Sequence, residues 1–375
     1  MKPIDVILLT MVSTPFKQFI KCYKLSRVDM IFNFHGVLPR GRAPDTDGNN
    51  FGVDLLFDDS PPLTFVFPKV VKEFARWRNV NGKPMQVGTC LDNAILFGGD
   101  RKMKKKMEYM EQMVKHLVDI FYVDEYFLSS TEKYKLFDFF VWDFVPKFYE
   151  IHLGCLRQSY YVTAGQLSFL LNSVKCDHLN LSLTVYGKLG EIQLKSKSLE
   201  VSRFGDWLTM DHIIESECEE ITGQIDEAEP AKTVELVKEW QNGKKLTNLK
   251  MLDLGLGCID QSPALKIIDK FDGVKELTEE EKKILKEGEM KENCPSGEVR
   301  KIRRATDGKI AVLSVNEDRV EMTVLKNGKP LKNFESESFL QVLFVSCSSQ
   351  TSNQDSINSE QIDFVQFFLR ILFFP

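Results

Sequence analysis

Apolar residues in the first third of the chain switch between a helical and a strand period. Ile4, Ile7, Leu8 and Met11 recur at helical spacing, and Pro15 opens a second turn carrying Phe16, Phe19 and Ile20. Residues 4–24 therefore predict a hairpin of two short helices. Strict alternation follows in Val28, Met30, Phe32 and Phe34, and again in Phe51, Val53, Leu55 and Phe57. The turn-rich stretch Gly41 to Asn50 separates the two runs, which predicts paired strands. A helix over about Pro68 to Trp77, a strand near Met85 to Val87 and a longer helix over about Lys102 to Phe121 complete this part. Met103, Met107, Met110, Val114 and Leu117 form the apolar stripe of the last helix, with Lys104, Lys105 and Lys106 mostly on its wet side.

From residue 123 to 254 one short strand pattern recurs with a helix between copies. The copies are Val123-x-x-Tyr126-x-Leu128, Phe148-x-x-Ile151-x-Leu153, Cys176-x-x-Leu179-x-Leu181, a weaker Leu199-x-Val201, Cys218-x-x-Ile221 and Leu249-x-x-Leu252-x-Leu254. They match the strand part of a leucine-rich repeat. Their spacing is uneven, 20 to 31 residues between equivalent positions. The expected fold is thus an irregular α/β solenoid in which each unit buries its apolar side on its neighbours. Thr163 with Gln166 makes a capping box, Thr209 is an N-cap before Met210 to Ile214, and the acidic cluster Asp226, Glu227 and Glu229 precedes a helix over Thr233 to Trp240.

The remainder is a charged connector, with one capped helix starting at Thr278, then a meander of Lys301 to Thr306, Ile310 to Val315 and Val320 to Lys326. The stretch Ser346 to Ser359, rich in Ser, Gln and Asn, predicts disorder. The chain divides accordingly: helices over 1–25, an α/β connecting region over 26–122, a repeat-like domain over 123–257, a charged linker over 258–299, a β meander over 300–333 and a disordered tail over 334–375.

Composition narrows the function classes. A net charge of −5 spread over both halves supplies no extended basic field, so nucleic acid is not an implied partner and a protein is. The eight cysteines are scattered without a C-x-x-C pair, which fits reduced thiols in a cytoplasmic or nuclear compartment. The apolar run Val6 to Val12 reads as a buried helix instead of a signal peptide. Phe364 to Phe374 is too short for a span and is broken by Gln366 and Arg370, so no membrane association is expected.

Candidate chemistry is thin. Leu252-Asp253-Leu254-Gly255-Leu256-Gly257 resembles a nucleotide-type methyltransferase motif, but Ile259 stands where a third glycine is needed. Asp45 to Asn49 has acidic residues in calcium-loop style, yet glycine sits at the fourth place and Leu56 replaces the bidentate Glu, so a turn between strands is expected. The basic run Arg101 to Lys106 reads as a solvated helix start. The five histidines sit in no nucleophile motif. No catalytic residue, metal site or cofactor is assigned. Phe140, Trp142, Phe144, Phe148 and Tyr149 read as core aromatics, and Tyr160 and Tyr161, beside a loop, as candidates for contact with a partner.

Two regions carry a family resemblance. Leu199 to Val201, then Gly205-Asp206-Trp207-Leu208-Thr209-Met210-Asp211-His212, continuing through Cys218 to Ile221, Trp240 and Leu249 to Leu254, resembles the F-box-associated domain of type 2 found in nematodes. Asp206, Trp207, Leu208 and Thr209 are its most specific element, and the meander at 301–326 is similar to the piece that closes such proteins. Pro3 to Leu9, with Ser13, Lys17 and Lys21, resembles the second half of an F-box. The resemblance implies a non-enzymatic substrate-recognition subunit of an SCF cullin-RING ubiquitin ligase. Its N-terminal helices would dock on a Skp-type adaptor through Ile4, Ile7, Leu8, Met11, Phe16 and Phe19, while the repeat domain holds a protein target. A free-standing, adaptor-independent repeat scaffold is the alternative.

Overall fold

The computed structural model describes residues 3–23, 26–35, 50–58, 60–67, 76–90, 94–98, 103–131, 136–154, 160–202, 206–226, 228–257, 260–279, 298–326 and 329–330. The fold is mixed α/β, and the described residues form two compact units, one up to Glu125 and one from Tyr126 onwards.

The first unit opens with the predicted hairpin, α1 (Pro3–Val12) and α2 (Thr14–Tyr23). Ser13 joins them, its hydroxyl accepting a hydrogen bond from Phe16 N at 3.3 Å. The alternating runs become β1 (Arg27–His35) and β2 (Asn50–Phe57), antiparallel with Phe32 opposite Val53. Four further strands extend the sheet: β3 (Ser60–Val66), β4 (Arg76–Val80), β5 (Lys83–Cys90) and β6 (Ala94–Gly98). Their spatial order is β1, β2, β3, β6, β5, β4, with only the β3 and β6 pair parallel.

The helix expected over Pro68 to Trp77 is partly corrected. Residues 68–75 lie outside the described residues, but Arg76 and Trp77 begin β4 instead of ending a helix. The reason is the two-residue turn Asn81-Gly82, whose φ values of 49° and 83° suit a hairpin and pair Val80 with Lys83.

Helix α3 (Met103–Ile120) follows, with Met110, Val114 and Leu117 buried as its stripe predicts. Lys104 and Lys105 are exposed, but the expectation for Lys106 is overturned: it is buried and its Nζ donates to the Phe67 carbonyl at 3.2 Å. A long side chain can carry its ammonium to a buried carbonyl while its methylenes pack. The predicted turn at Asp45 to Asn49 lies outside the described residues.

The second unit is built on strands that run in chain order. β7 (Tyr122–Ser130), β8 (Phe148–Gly154), β10 (Cys176–Tyr186), β11 (Ser198–Val201), β12 (Glu220–Ile225) and β13 (Met251–Leu256) pair successively and all parallel, and β9 (Tyr160–Thr163) adds to the far end of β10. Between them lie α4 (Val141–Phe144), α5 (Ala164–Ser173), α6 (Met210–Ile214) and α7 (Pro230–Asn242). The capping box predicted at Thr163 forms, and Thr209 caps α6 as expected, with His212 completing a second box.

The stretch expected to be a charged linker is partly folded. Its residues 260–279 contain α8 (Ser262–Ile268) and β14 (Lys275–Glu276), with Ala264, Leu265, Ile268 and Leu277 buried. These few apolar positions, diluted by lysine and glutamate in the sequence, suffice to dock the segment. Residues 281–297, which include most of the helix expected from Thr278, and the tail after 330 lie outside the described residues.

The meander is present as β15 (Glu298–Arg303), β16 (Ile310–Val315) and β17 (Arg319–Lys326), with a short β18 (Lys329–Pro330). It is continuous with the repeat strands, because β17 pairs antiparallel with β13, placing Asp253 opposite Glu321.

Candidate partner-binding face

Matched register turns the repeat pattern into rows that cross the sheet of the second unit. Leu128, Ile151, Leu179, Leu199, Ile221 and Leu252 stand side by side on the six parallel strands, and all are buried. Two residues on, Leu153, Leu181, Val201, Gly223 and Leu254 form a second row on the same face. Fully burying each aliphatic side chain is worth about 1.5–3 kcal/mol, so these rows contribute a large share of the unit's core.

Glycine breaks the second row for a reason. A Cβ on Gly223 would stand 3.3 Å from Leu208 Cδ2, so Leu208 occupies the space a side chain would need. The Asp206 to Thr209 element is thereby placed. Trp207 and Leu208 are buried, Asp206 is exposed, and the Thr209 hydroxyl accepts from His212 N while His212 Nδ1 accepts from Thr209 N, both at 3.3 Å.

Alternation sends the intervening residues to the opposite face. There the row Ser129, His152, Asn180, Glu200, Thr222, Asp253, Glu321 and Ser314 runs across eight strands, and Glu150, His178, Ser198 and Glu220 form part of a row beside it. This face is polar and acidic. Asn180 Nδ2 donates to Glu200 Oε2 at 2.8 Å, and Arg319 grips Asp253 through two bonds of 2.8 and 2.6 Å while also reaching Glu321 at 2.9 Å. Burial raises the pKa of Glu200 and of Glu220. Burial raises that of Glu321 as well, opposed by Arg319 and reinforced by Asp253. Burial lowers both His152 and His178, which keeps the imidazoles neutral near pH 7.

No family model, curated protein or solved structure matches this chain.

The other candidates are spread over the two units. In the first, Ile4, Ile7 and Met11 are buried within their own unit, Leu8 and Phe16 are half-buried, and Phe19 is exposed. In the second, strand alternation separates the tyrosines. Tyr160 is buried, whereas Tyr161 faces out and stacks on Tyr186 with ring centroids 5.0 Å apart. Tyr186, the most exposed aromatic among the described residues of this unit at 60%, was not singled out from the sequence; its place at a strand end before Gly187 was the available signal. Of the aromatic segment expected to be core, Phe148 is buried and Phe140, Trp142, Phe144 and Tyr149 are half-buried; Trp142 packs on Phe137, Phe148 and Phe169 and donates Nε1–H to the Leu136 carbonyl at 2.8 Å.

The glycines after β13 have a packing explanation. A Cβ on Gly257 would overlap the Asp226 carbonyl oxygen, and Gly257 N donates to Ile225 O at 2.8 Å. Cys218 is buried, with its thiol pushed up to about 11, and burial raises Cys176 also, so neither is an activated nucleophile. Among the described residues no group of three metal-ligating side chains comes together, and no helix is long and apolar enough to cross a membrane.

Proposed function

We propose that this chain is a non-catalytic substrate-recognition subunit of the F-box type in an SCF cullin-RING ubiquitin ligase, with the second unit, an irregular leucine-rich-repeat-like solenoid, holding a protein target. The observation that carries the reading is the row of six aliphatic residues on six successive parallel strands, with a polar row on the reverse face. Stacked strand and helix units of that kind present a continuous surface on which a target binds many side chains at once. The reading also draws on the Asp206 to Thr209 element, whose buried Trp207 and Leu208 give it a place in the unit's core. The ligase would work by positioning: the target is held while a ubiquitin-conjugating enzyme supplies the chemistry.

The adaptor half of the proposal rests on α1 and α2, where Leu8, Phe16 and the exposed Phe19 are accessible. Burial of Ile4, Ile7 and Met11 favours the second reading, an adaptor-independent scaffold that binds its protein partner through the same face. A pull-down of a Skp-type adaptor by the full-length chain decides between them, with an intact F-box protein as the positive control. Retention of the adaptor, lost in Phe19→Ala, is the expected result. Failure of the wild-type chain to retain it, when the control does, overturns the ligase reading and leaves the scaffold.

A further inference from the structure

The rows of the polar face of the second unit hold more acidic than basic side chains. Its two rows contain Glu200, Glu220, Asp253 and Glu321; Arg319 beside them is divided between Asp253 and Glu321, and Lys301 continues the second row four strands beyond Glu220. The lysines at the strand starts are committed as well: Lys147 and Lys197 to Asp177, and Lys250 to Glu219. Glu200 has Asn180 as its hydrogen-bonding neighbour, a neutral donor.

A second and independent observation concerns hydrogen bonds. Three buried polar atoms without a partner, Ser182 Oγ, Ser314 Oγ and Glu321 Oε2, belong to residues that alternation places on this face. Ser182 and Ser314 are 2% and 1% exposed, and each stands between two core residues, Leu181 and Leu183 or Leu313 and Val315. Ser314 is registered directly beside Glu321, and Glu321 beside Asp253. Buried polar atoms in native proteins are nearly always paired, so a face that gathers several unpaired acceptors suits a ligand that brings donors.

We infer that this face takes an extended, basic polypeptide segment, whose lysine or arginine donors meet Glu200, Glu220 and the Glu321 and Ser314 end of the row. The inference rests on the reading of the second unit as the target-binding domain and names the target's chemistry. The dimensions agree: from Asn180 on β10 to Glu321 on β17 is four strand steps, about 19 Å, the length of roughly six residues in extended conformation. Donors entering a partly desolvated carboxylate row gain more than they would at a fully solvated surface. Two of the acids, Asp253 and Glu321, are held in place by Arg319, so the row is preorganised at that end.

The test uses the full-length chain and two labelled octapeptides, one alternating arginine and serine, one alternating glutamate and serine, followed by fluorescence anisotropy at low ionic strength. Binding of the basic peptide alone is expected, weakened about tenfold in the double variant Glu200→Gln, Glu220→Gln and unchanged in Glu235→Gln on α7. Thermal unfolding of each variant keeps loss of fold apart from loss of binding. Equal affinity for the two peptides, no affinity for the basic one, or equal weakening by Glu235→Gln overturns the inference. The adaptor pull-down separates the two claims. A chain that retains the adaptor but ignores the basic peptide loses only this assignment, while one that binds the peptide without the adaptor keeps it and loses the ligase.

Discussion

Gly257 lies against the backbone of Asp226 so closely that a Cβ at position 257 would fall on the Asp226 carbonyl oxygen, whereas one at Gly255 would meet nothing nearer than Gln224 Cγ at 3.7 Å, an ordinary van der Waals contact. The two glycines of a motif with a nucleotide-binding look are thus distinguishable by packing. Gly257→Ala is expected to destabilise the chain by about 2 kcal/mol or more, since backbone cannot move aside as a side-chain tip can. Gly255→Ala should stay within about 0.5 kcal/mol of the wild type. Chemical denaturation of the two variants measures the difference, and equal effects would contradict the packing account.

The Asp206 to Thr209 element divides the same way. Thr209 caps α6 and His212 closes the box, so Thr209→Ala should cost about 1 kcal/mol, while exposed Asp206→Ala should cost less than about 0.5. Leu208→Ala, which empties the space beside Gly223, should cost about 2–5 kcal/mol. An unfolding series in which Asp206→Ala is the most damaging of the three would overturn this ranking and give the aspartate a structural role.

How much of this was legible depended on what the signal was made of. Apolar alternation and repeat spacing put every strand of the parallel row near its observed place, because burying one face leaves a period in the sequence. The outer face left none: His152, Asn180, Glu200, Thr222 and Asp253 share nothing but register, which emerges only when strands far apart in sequence pair. The same holds for the union of β13 with β17, a pairing across more than sixty residues. The missed β4 is different. Asn81-Gly82 between polar and apolar runs is a readable hairpin signal, and the helical reading of the preceding stretch obscured it.

Lys106 tests how far a basic run on a helix can be read as solvated. Its Nζ bonds the Phe67 carbonyl from a buried position, while Lys104 two residues earlier is exposed. Lys106→Ala removes both the packed methylenes and a buried hydrogen bond, and should cost about 2–3 kcal/mol. Lys104→Ala should lie within about 0.5 kcal/mol of the wild type. Thermal unfolding of the pair checks the contrast, and similar midpoints would mean that the Lys106 contact contributes nothing.

The first unit contains two buried titratable groups whose pH dependences oppose each other. Thr10 donates its hydroxyl proton to the Ile7 carbonyl at 2.7 Å, so at 2.9 Å its oxygen accepts from His116 Nε2–H, leaving Nδ1 as the buried, unpaired nitrogen. Burial, and then the nearby Lys17, lower this histidine to about 4. The unfolded chain takes up the proton first, so the stability contributed by neutral His116 is complete above about pH 6.5 and is lost as pH falls towards 4. Asp54 behaves in the reverse sense. It accepts a hydrogen bond from Asn33 on β1, and burial raises it from 3.8 to about 6, so the unfolded chain ionises first and stability is lost as pH rises from about 4 to 6. Each shift corresponds to about 3 kcal/mol at most, and between pH 4 and 6 the two slopes largely cancel. Single variants should expose them. Asp54→Asn is expected to lose stability steadily from pH 6.5 down to 4, and His116→Gln to gain it over the same descent, when urea denaturation is followed across that range. Parallel slopes in the two variants would show that at least one of these groups titrates in the folded chain as it does in the unfolded one.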